Sequence, residues 1–311
     1  MVNLIYKRLF KLAVVALLAG CASEPVHHQV EEIKIRPQQS EIPPTYYPQD
    51  RRPIQQSPDS YGKAPYSSSY GAYQLTGTYA NSPALRSFIQ YMVSKQGFSE
   101  AYLNGLFSRA NRLDSVIRLE SPAPSVGPSK PHLGSWTRYR NKFLTDAHIS
   151  NGVEFWRNNA EAIQQASATY GVDPEYIVGI IGVETYFGKN FGKTCIFDAL
   201  TTLSFDTARR AKYFTSELES FLLMTRDEGF DPRQPQGSWA GAMGYGQFMP
   251  SSFRKLAVDF NSDGRRDLWH PKDAVGSVAN YFSRSGWQLH SAVTKQSGPA
   301  NDEAVIELST Y

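Results

Sequence analysis

The sequence predicts a mainly α fold with a small irregular or β insert. Apolar residues recur at helical spacing through most of the stretch from residue 82 to residue 285. Ser82-Pro83 and Asp173-Pro174 stand where helices should begin, a capping residue followed by proline at the first helical position. Only Ala257 to Trp269 and the tail after Gly286 read as turns and short strands.

The segments ahead of the helices have other characters. Lys7, Arg8 and Lys11 give a positive start, followed by the apolar run Leu12 to Leu18. That run is too short to span a bilayer and fits the apolar core of a secretory signal. Leu18-Ala19-Gly20-Cys21 resembles the bacterial lipobox, which implies cleavage before Cys21 and a lipid on it. Ala22 rather than Asp follows, which implies sorting to the outer membrane, anchored by acyl chains at about 0.8 kcal/mol per buried methylene. Residues 22–79 are rich in Pro, Gln, Ser and Tyr without sustained period, and read as a disordered tether. Its reach is tens of ångströms, from about 5–6 Å times the square root of its length.

The 311 residues allow one large domain or two smaller ones, and an apolar share of 41% supplies a core. A net charge of +3, spread without a basic block, argues against a nucleic-acid partner. Aromatic residues reach 13%, a composition suited to a sugar-binding groove or to a large helical core. Of the two cysteines, Cys21 belongs to the signal and Cys195 is a lone thiol expected beside the core, without the signature of a cysteine protease.

The first helix starts at Pro83 behind Ser82, with Leu85, Phe88, Ile89 and Met92 on one stripe. A second runs from about Glu100 to Leu113, burying Leu103, Leu106 and Phe107. The Pro-rich break Pro122 to Pro131 separates this lobe, residues 80–121, from a main domain over residues 132–311. There a helix spans about Gly152 to Tyr170, with Val153, Trp156, Ala160, Ile163 and Ser167 at helical spacing, and Gly171 stops it. Further helices fit Thr207 to Thr225 and Pro271 to Ser285.

The helix after Asp173 carries the candidate chemistry. Ile177, Ile180, Ile181 and Glu184 fall at i, i+3, i+4 and i+7, so Glu184 points where the isoleucines point. A poorly solvated carboxyl has a raised pKa and keeps its proton, as protonation of a glycosidic leaving group requires. The alternative is a structural ion pair with Arg209 or Arg210. Gly182 and Gly188 weaken a helix by about 1 kcal/mol each, and favour a close approach to the backbone near Glu184.

Several strings resemble one family. Gly182-Val183-Glu184-Thr185-Tyr186-Phe187-Gly188 resembles the catalytic helix of the lytic murein transglycosylase B family, on a lysozyme-like fold. The likeness continues in Ala199-Leu200-Thr201-Thr202-Leu203-Ser204-Phe205 and in Arg209-Arg210-Ala211-Lys212-Tyr213-Phe214. It is most specific in Gly241-Ala242-Met243-Gly244-Tyr245-Gly246-Gln247-Phe248-Met249-Pro250-Ser251-Ser252, and closes with Gly276-Ser277-Val278-Ala279-Asn280-Tyr281-Phe282. It covers about Pro83 to Trp287.

A standard glycosidase needs two carboxylates about 5–9.5 Å apart. Besides Glu184 the available seconds are Asp198 and Asp206, and Asp206 stands where an N-cap for the helix at Thr207 is expected. The resemblance implies a reaction with one carboxylate. Glu184 protonates the oxygen between N-acetylmuramic acid and N-acetylglucosamine, the acetamido group meets the developing charge, and Glu184 then deprotonates the 6-hydroxyl that closes on carbon 1. The resemblance also implies that Gln247 contacts sugar, that Ser204 bonds the catalytic carboxyl or the acetamido group, and that Tyr139, Tyr213 and Tyr281 wall the groove. Arg209 and Arg210 are implied to meet peptide or muramyl carboxylates. Peptidoglycan glycan strands, the outer membrane and proteins of cell-wall synthesis or division are the implied partners. No cofactor is expected for catalysis.

Asp259, Asn261 and Asp263 stand at positions one, three and five of an EF-hand-like loop, with Gly264 at six and the Arg265 carbonyl at seven. His270 occupies position twelve, where a bidentate Glu is usual, and the resemblance implies Asp273 instead. A structural Ca²⁺ is expected; an Asx-rich turn without metal is the alternative. The family's late segment, with Arg-Tyr-Asn followed by Ser and Tyr-Ala, has no match between Gln288 and Tyr311, so part of the groove and core is expected to be missing. Two other readings are a lysozyme-type hydrolase using Asp198 or Asp206, and a peptidoglycan-binding lipoprotein with a dead site.

Overall fold

The structure is a computed structural model that describes residues 70–121 and 134–291. The signal, Cys21, most of the tether, the Pro-rich break and the tail beyond residue 291 lie outside the described residues. Helix α1 (Pro83–Gln96) starts where expected: the Ser82 side chain accepts from the Leu85 N–H at 3.2 Å, and Leu85, Phe88, Ile89 and Met92 are buried. Helix α2 (Glu100–Phe107) is shorter than its periodicity predicts, and α3 (Asp114–Glu120) follows as a separate helix. Distant side chains end α2. Asn111 gives its backbone N–H and its Nδ2 to Asp198 at 3.0 and 2.9 Å, and the Leu113 N–H goes to Thr202 Oγ1 at 3.0 Å. Donors satisfied from across the core need no helical carbonyls.

Helix α4 (Ser135–Asn141) has no counterpart in the sequence reading. The long helix expected from Gly152 begins earlier, as α5 (Asp146–Asn158) capped by Thr145, and breaks into α6 (Ala160–Tyr170). Asn159 makes the break: its Nδ2 donates to the Phe155 carbonyl at 2.8 Å, competing with the helix ladder. Helix α7 (Pro174–Thr185) is followed by strand β1 (Thr194–Cys195) and helix α8 (Ile196–Phe205). Helix α9 (Ala211–Glu228), strand β2 (Gln236–Gly237), α10 (Pro250–Leu256) and α11 (Pro271–Arg284) complete the described chain. The two strands pair antiparallel, Thr194 with Gly237 and Cys195 with Gln236.

Helix α8 is the axis of the molecule. Every residue from Ile196 through Ser204 is buried, the pattern of a helix enclosed on all sides. Helices α9 and α3 pack against it, while α5, α6 and α11 surround α7. Helix α9 starts at Ala211 rather than Thr207, because the Thr207 hydroxyl still donates to the Leu203 carbonyl of α8 at 2.7 Å. Asp206 is therefore the C-cap of α8 and not the expected N-cap of the next helix.

One cluster of buried residues runs from Tyr70 to Ala279, so residues 80–121 share their core with the rest. The expected tether also ends early. Tyr70 and Tyr79 are buried, and their hydroxyls donate to Asp231 at 2.7 Å and to Asp206 at 2.6 Å. Cys195 is half-buried and free, as expected. No helix among the described residues is long and apolar enough to cross a membrane.

The docking of residue 70 is open to a direct test. A Cβ on Gly105 would collide with the Tyr70 backbone carbonyl. Gly105→Ala is expected to cost about 1–3 kcal/mol, the usual penalty of overpacking. Thermal unfolding checks it, at about 2–4 °C of Tm per kcal/mol; an unchanged Tm contradicts the docked Tyr70.

Candidate active site

Helix α7 is anchored at its start by a borrowed carboxylate. Asp173 leaves its own helix uncapped and accepts instead from Trp287 Nε1 at 3.1 Å and from the His290 backbone, with His290 Nδ1 at 2.8 Å. Along the helix Ile177 and Ile181 are fully buried and Ile180 is half-buried. Glu184 belongs to the same stripe but is exposed, which corrects the expectation that it faces the core. It lies in the last turn, where the chain leaves the helix.

Exposure does not leave Glu184 bulk-like, for burial still pushes its pKa up. Solvent reaches the side chain, while the protein around it still disfavours the charged form. Among the described residues no hydrogen bond or ion pair engages it. The ion pair with Arg209 or Arg210 that was the alternative does not form. Both arginines turn to the buried Glu120, Arg209 Nε at 3.3 Å and Arg210 Nε at 2.9 Å. Hydrogen bonding from Arg210 holds the Glu120 carboxyl below the usual range.

Beyond Glu184 the backbone is unusual. Tyr186, Phe187 and Gly188 are all left-handed, with φ of 53°, 57° and 84°. The Thr185 hydroxyl holds this turn: it accepts from the Gly188 N–H at 3.1 Å and shares its proton between the carbonyls of Ile181 at 3.1 Å and Tyr245 at 3.0 Å. A side chain at Gly188 would strike the Tyr245 ring, so the close approach foreseen from Gly188 is made by Tyr245. His148 supports the same turn. It is buried, its ring lies 4.5 Å from Tyr186, and its Nε2 is 3.0 Å from the Gly182 carbonyl. Burial lowers the His148 pKa, and because a carbonyl only accepts, it is Nε2–H that donates to it.

The Thr185–Tyr245 bond joins Glu184 to the loop that bears Gln247. That loop is built by Ser238, whose side chain accepts from the N–H groups of Ala240 and Ala242 at 3.3 and 2.9 Å, and by a bridge between Met243 and Phe248. Gln247 is half-buried and left-handed, φ 50°, and its Nε2 donates to the carbonyls of Gly244 at 3.0 Å and Phe191 at 3.4 Å. With the amide nitrogen so occupied, the Gln247 Oε1 is the group suited to a sugar hydroxyl.

Tyr139, Tyr213 and Tyr281 are exposed at 40%, 45% and 44%, which removes the core reading for all three. The Tyr139 ring lies 5.3 Å from Phe143, and Phe143 lies 5.9 Å from His148. The Tyr281 ring lies 5.9 Å from Phe248, the neighbour of Gln247. Of the two partners expected for Ser204, the catalytic carboxyl is not one: Ser204 is buried, and its hydroxyl donates to the Leu200 carbonyl at 2.7 Å rather than to Glu184.

Residues 80–305 match the family of transglycosylase SLT domains. The chain belongs to the transglycosylase SLT family. It is 54% identical over 221 residues to membrane-bound lytic murein transglycosylase B of Escherichia coli (strain K12), covering 70% of this chain and 61% of that protein. The chain thus spans somewhat less than two thirds of the length of that curated relative. The solved structure of the E. coli lytic transglycosylase Slt35 in complex with calcium matches with a TM-score of 0.66 at 53% identity, over 70% of this chain and 68% of that one. SltB1, a soluble lytic transglycosylase of Pseudomonas aeruginosa, matches with a TM-score of 0.63 at 46% identity, over 68% and 69%.

In this SLT domain the candidate second carboxylates are both engaged elsewhere. Asp198 is buried under Asn111, with Arg233 at 3.8 Å, and Asp206 takes the Tyr79 hydroxyl, with Arg112 Nε at 3.4 Å. The sequence reading missed Thr185, His148 and Glu217, whose roles depend on partners far along the chain. Glu217 is buried and accepts from Ser251 through both backbone N–H and hydroxyl, at 2.9 and 2.7 Å.

The loop after α10 folds on its own polar groups. Asp259 accepts from the N–H groups of Asp263 at 3.1 Å and Gly264 at 2.8 Å, and Asn261 Nδ2 donates to Asp263 at 2.8 Å. Asp273 is fully buried, accepting from Phe260, Asn261 and Asp267 N–H groups, and burial raises its pKa. Among the described residues no three His, Cys, Asp or Glu side chains converge as a ready metal cage, so a cation here needs the Asn261 oxygen and the Arg265 carbonyl as well. Asp259, Asn261 and Asp263 bring side-chain oxygens, the donor type that Ca²⁺ takes, into one short loop.

The turn behind Glu184 depends on a single hydroxyl. Thr185→Val keeps the shape and leaves the Tyr245 carbonyl and Gly188 N–H unpaired, at an expected cost of about 1–3 kcal/mol. Thermal unfolding of the variant reads that loss, and a Tm equal to wild type contradicts the assigned tie.

Proposed function

We propose that the chain is a lytic transglycosylase that cuts the β-1,4 bond between N-acetylmuramic acid and N-acetylglucosamine in peptidoglycan. The observation that carries this reading is one carboxyl at the end of α7 without a partner among the described residues, while its two potential helpers are committed elsewhere. Glu184 gives its proton to the bridging oxygen, the bond from carbon 1 to that oxygen breaks, and the N-acetylglucosamine side leaves as an alcohol. The substrate's acetamido group meets the charge at carbon 1. Glu184, now a carboxylate, takes the proton of the muramic acid 6-hydroxyl, whose oxygen bonds to carbon 1 and closes the 1,6-anhydro ring. The proton balance is zero and water is not consumed. A lysozyme-type hydrolase would need Asp198 or Asp206, and their engagement disfavours it. Gln247, Tyr139, Tyr213 and Tyr281 line the path of the glycan in this reading. Arg209 and Arg210 reach its carboxylates only by loosening from Glu120. We further propose that Cys21 is lipidated and holds the enzyme at the outer membrane, a reading supported by the name of the membrane-bound relative. The Asp259, Asn261, Asp263 and Asp273 side chains and the Arg265 carbonyl would hold a structural Ca²⁺ that pins the loop.

Digestion of purified sacculi by wild type and Glu184→Gln, followed by mass spectrometry, tests the reaction. Anhydro ends from wild type and none from the variant are expected; reducing ends would mean hydrolysis instead. The raised pKa adds a stability signature. Above the ordinary value of 4.5 the unfolded chain loses the Glu184 proton first, so the folded state binds more protons and stability falls as pH rises through the window up to the raised value. Glu184→Gln lacks this loss, and thermal melts across pH should show the variant gaining on wild type through that window. Parallel curves would show an unperturbed carboxyl. For the cation, Ca²⁺ at about 100 times its Kd should stabilise wild type by about 2.7 kcal/mol over chelator-treated protein, and Asp259→Ala should lose the effect. Equal melting in calcium and chelator would argue for the metal-free turn.

A further inference from the structure

A cavity of about 340 Å³ opens between α1, α2 and residues 73–75, and none of the residues assigned to the glycan path lines it. Its size is that of a site for a small ligand. The wall formed by residues 73–75 is fixed on both sides. The Ala72 N–H donates to the Ala101 carbonyl at 2.9 Å, and the Thr76 N–H donates to Ser108 Oγ at 2.8 Å. A wall already in place spares a ligand the cost of ordering it.

Two opposite charges line this cavity without neutralising each other. Among the described residues Arg86 and Glu100 form no ion pair, together or with a third group. Arg86 gives its Nη2 to the Ala80 carbonyl at 2.6 Å and keeps Nε and Nη1 for another acceptor. It is the fourth residue of α1, where the helix dipole favours an anion, so the helix does not explain it. Glu100 opens α2, where the dipole suits it, and its carboxylate is left without a donor. Asn104 is only 7% exposed. Its Nδ2 donates to the Tyr73 carbonyl at 3.4 Å, while its Oδ1 has no partner among the described residues. Amide oxygens so placed normally accept a hydrogen bond. Gln74 and Gln90 add two further amides, and Ile89 adds apolar surface.

We propose that this cavity binds a short peptide that carries both a carboxylate and an ammonium group. Arg86 takes the carboxylate, Glu100 takes the ammonium, and Asn104 Oδ1 accepts a peptide N–H. A glycan fits less well: muramic acid offers a carboxylate, but its nitrogen is acetylated and brings no charge to Glu100. The peptides that branch from peptidoglycan carry both charges. The inference rests on the peptidoglycan reading for that source, and it gives the protein a hold on peptide separate from its glycan site.

The test uses the full chain and peptides released from purified sacculi by an amidase, with Kd read by calorimetry. Arg86→Gln and Glu100→Gln should each weaken binding on the order of tenfold, the scale of a hydrogen bond to a charged group. Both positions are exposed, and thermal melts should match wild type. Peptides amidated at their carboxylates should bind wild type as weakly as Arg86→Gln binds the native ones, with no further loss when the two changes are combined. Acetylated peptides should stand in the same relation to Glu100→Gln. Absent binding, a Kd unchanged in both variants, or losses that multiply within either pair would overturn the proposal.

Glycan strands with and without their peptides, measured on a Glu184→Gln background, separate the sources. A loss in Arg86→Gln for peptide-bearing strands places the ligand on the wall, and a loss for released peptides alone places it in solution; both support the site. A loss for stripped strands would make it a sugar site and overturn the proposal. Sacculi left uncut by wild type would defeat the catalytic reading, and the Kd comparison with released peptides would remain decisive for this one.

Discussion

A carboxyl group kept without a counter-charge is the constraint on which the remaining structure depends. Left to itself such a group would find a cation or open water, and two arginines stand in the same domain. The fold denies it the cation. Glu120, buried at the end of α3, takes Arg209 and Arg210. The left-handed turn after α7 halts the helix one residue after Glu184, so the side chain emerges at an edge instead of entering the core. Desolvation then acts without an opposing charge, and the pKa moves upward.

The other buried carboxylates serve as ties between segments remote in sequence. Asp198 terminates α2 and receives the chain before α3, Asp173 receives Trp287 and His290, Glu217 receives Ser251, and Asp273 gathers the loop after α10. Each accepts several backbone or side-chain donors, which is how a buried charge is made tolerable. Removing a partner from such a tie costs more than the net worth of the bond, because a desolvated group is left unmet. The contrast with Glu184 is chemical: the ties have their lone pairs filled, and the acid does not.

Local signals were legible in the sequence. Ser82-Pro83, Asp173-Pro174 and the terminating Gly171 mark helix ends through contacts within a few residues, and the structure has those ends. The stripe of isoleucines located Glu184 on the right helix. What escaped was set by distant partners. Nothing near Leu113 announces that Asp198 and Thr202 will satisfy the backbone there, so α2 was drawn too long. The side chain of Asn159, a weak helix former, splits a helix whose apolar period continues across it. Ser204 matched by position but spends its proton on its own helix, as buried serines often do. The orientation of Glu184 itself turned on where the helix stops, and three left-handed residues, two of them not glycine, are not readable from propensity.

The most direct test of the central claim is the titration of the Glu184 carboxyl carbon by NMR, assigned by comparison with Glu184→Gln. The account predicts a midpoint above the ordinary 4.5 of a glutamate, with the side chain still protonated where exposed glutamates have ionised. A midpoint at or below that value would mean that the carboxyl is water-like or ion-paired, and would contradict the account.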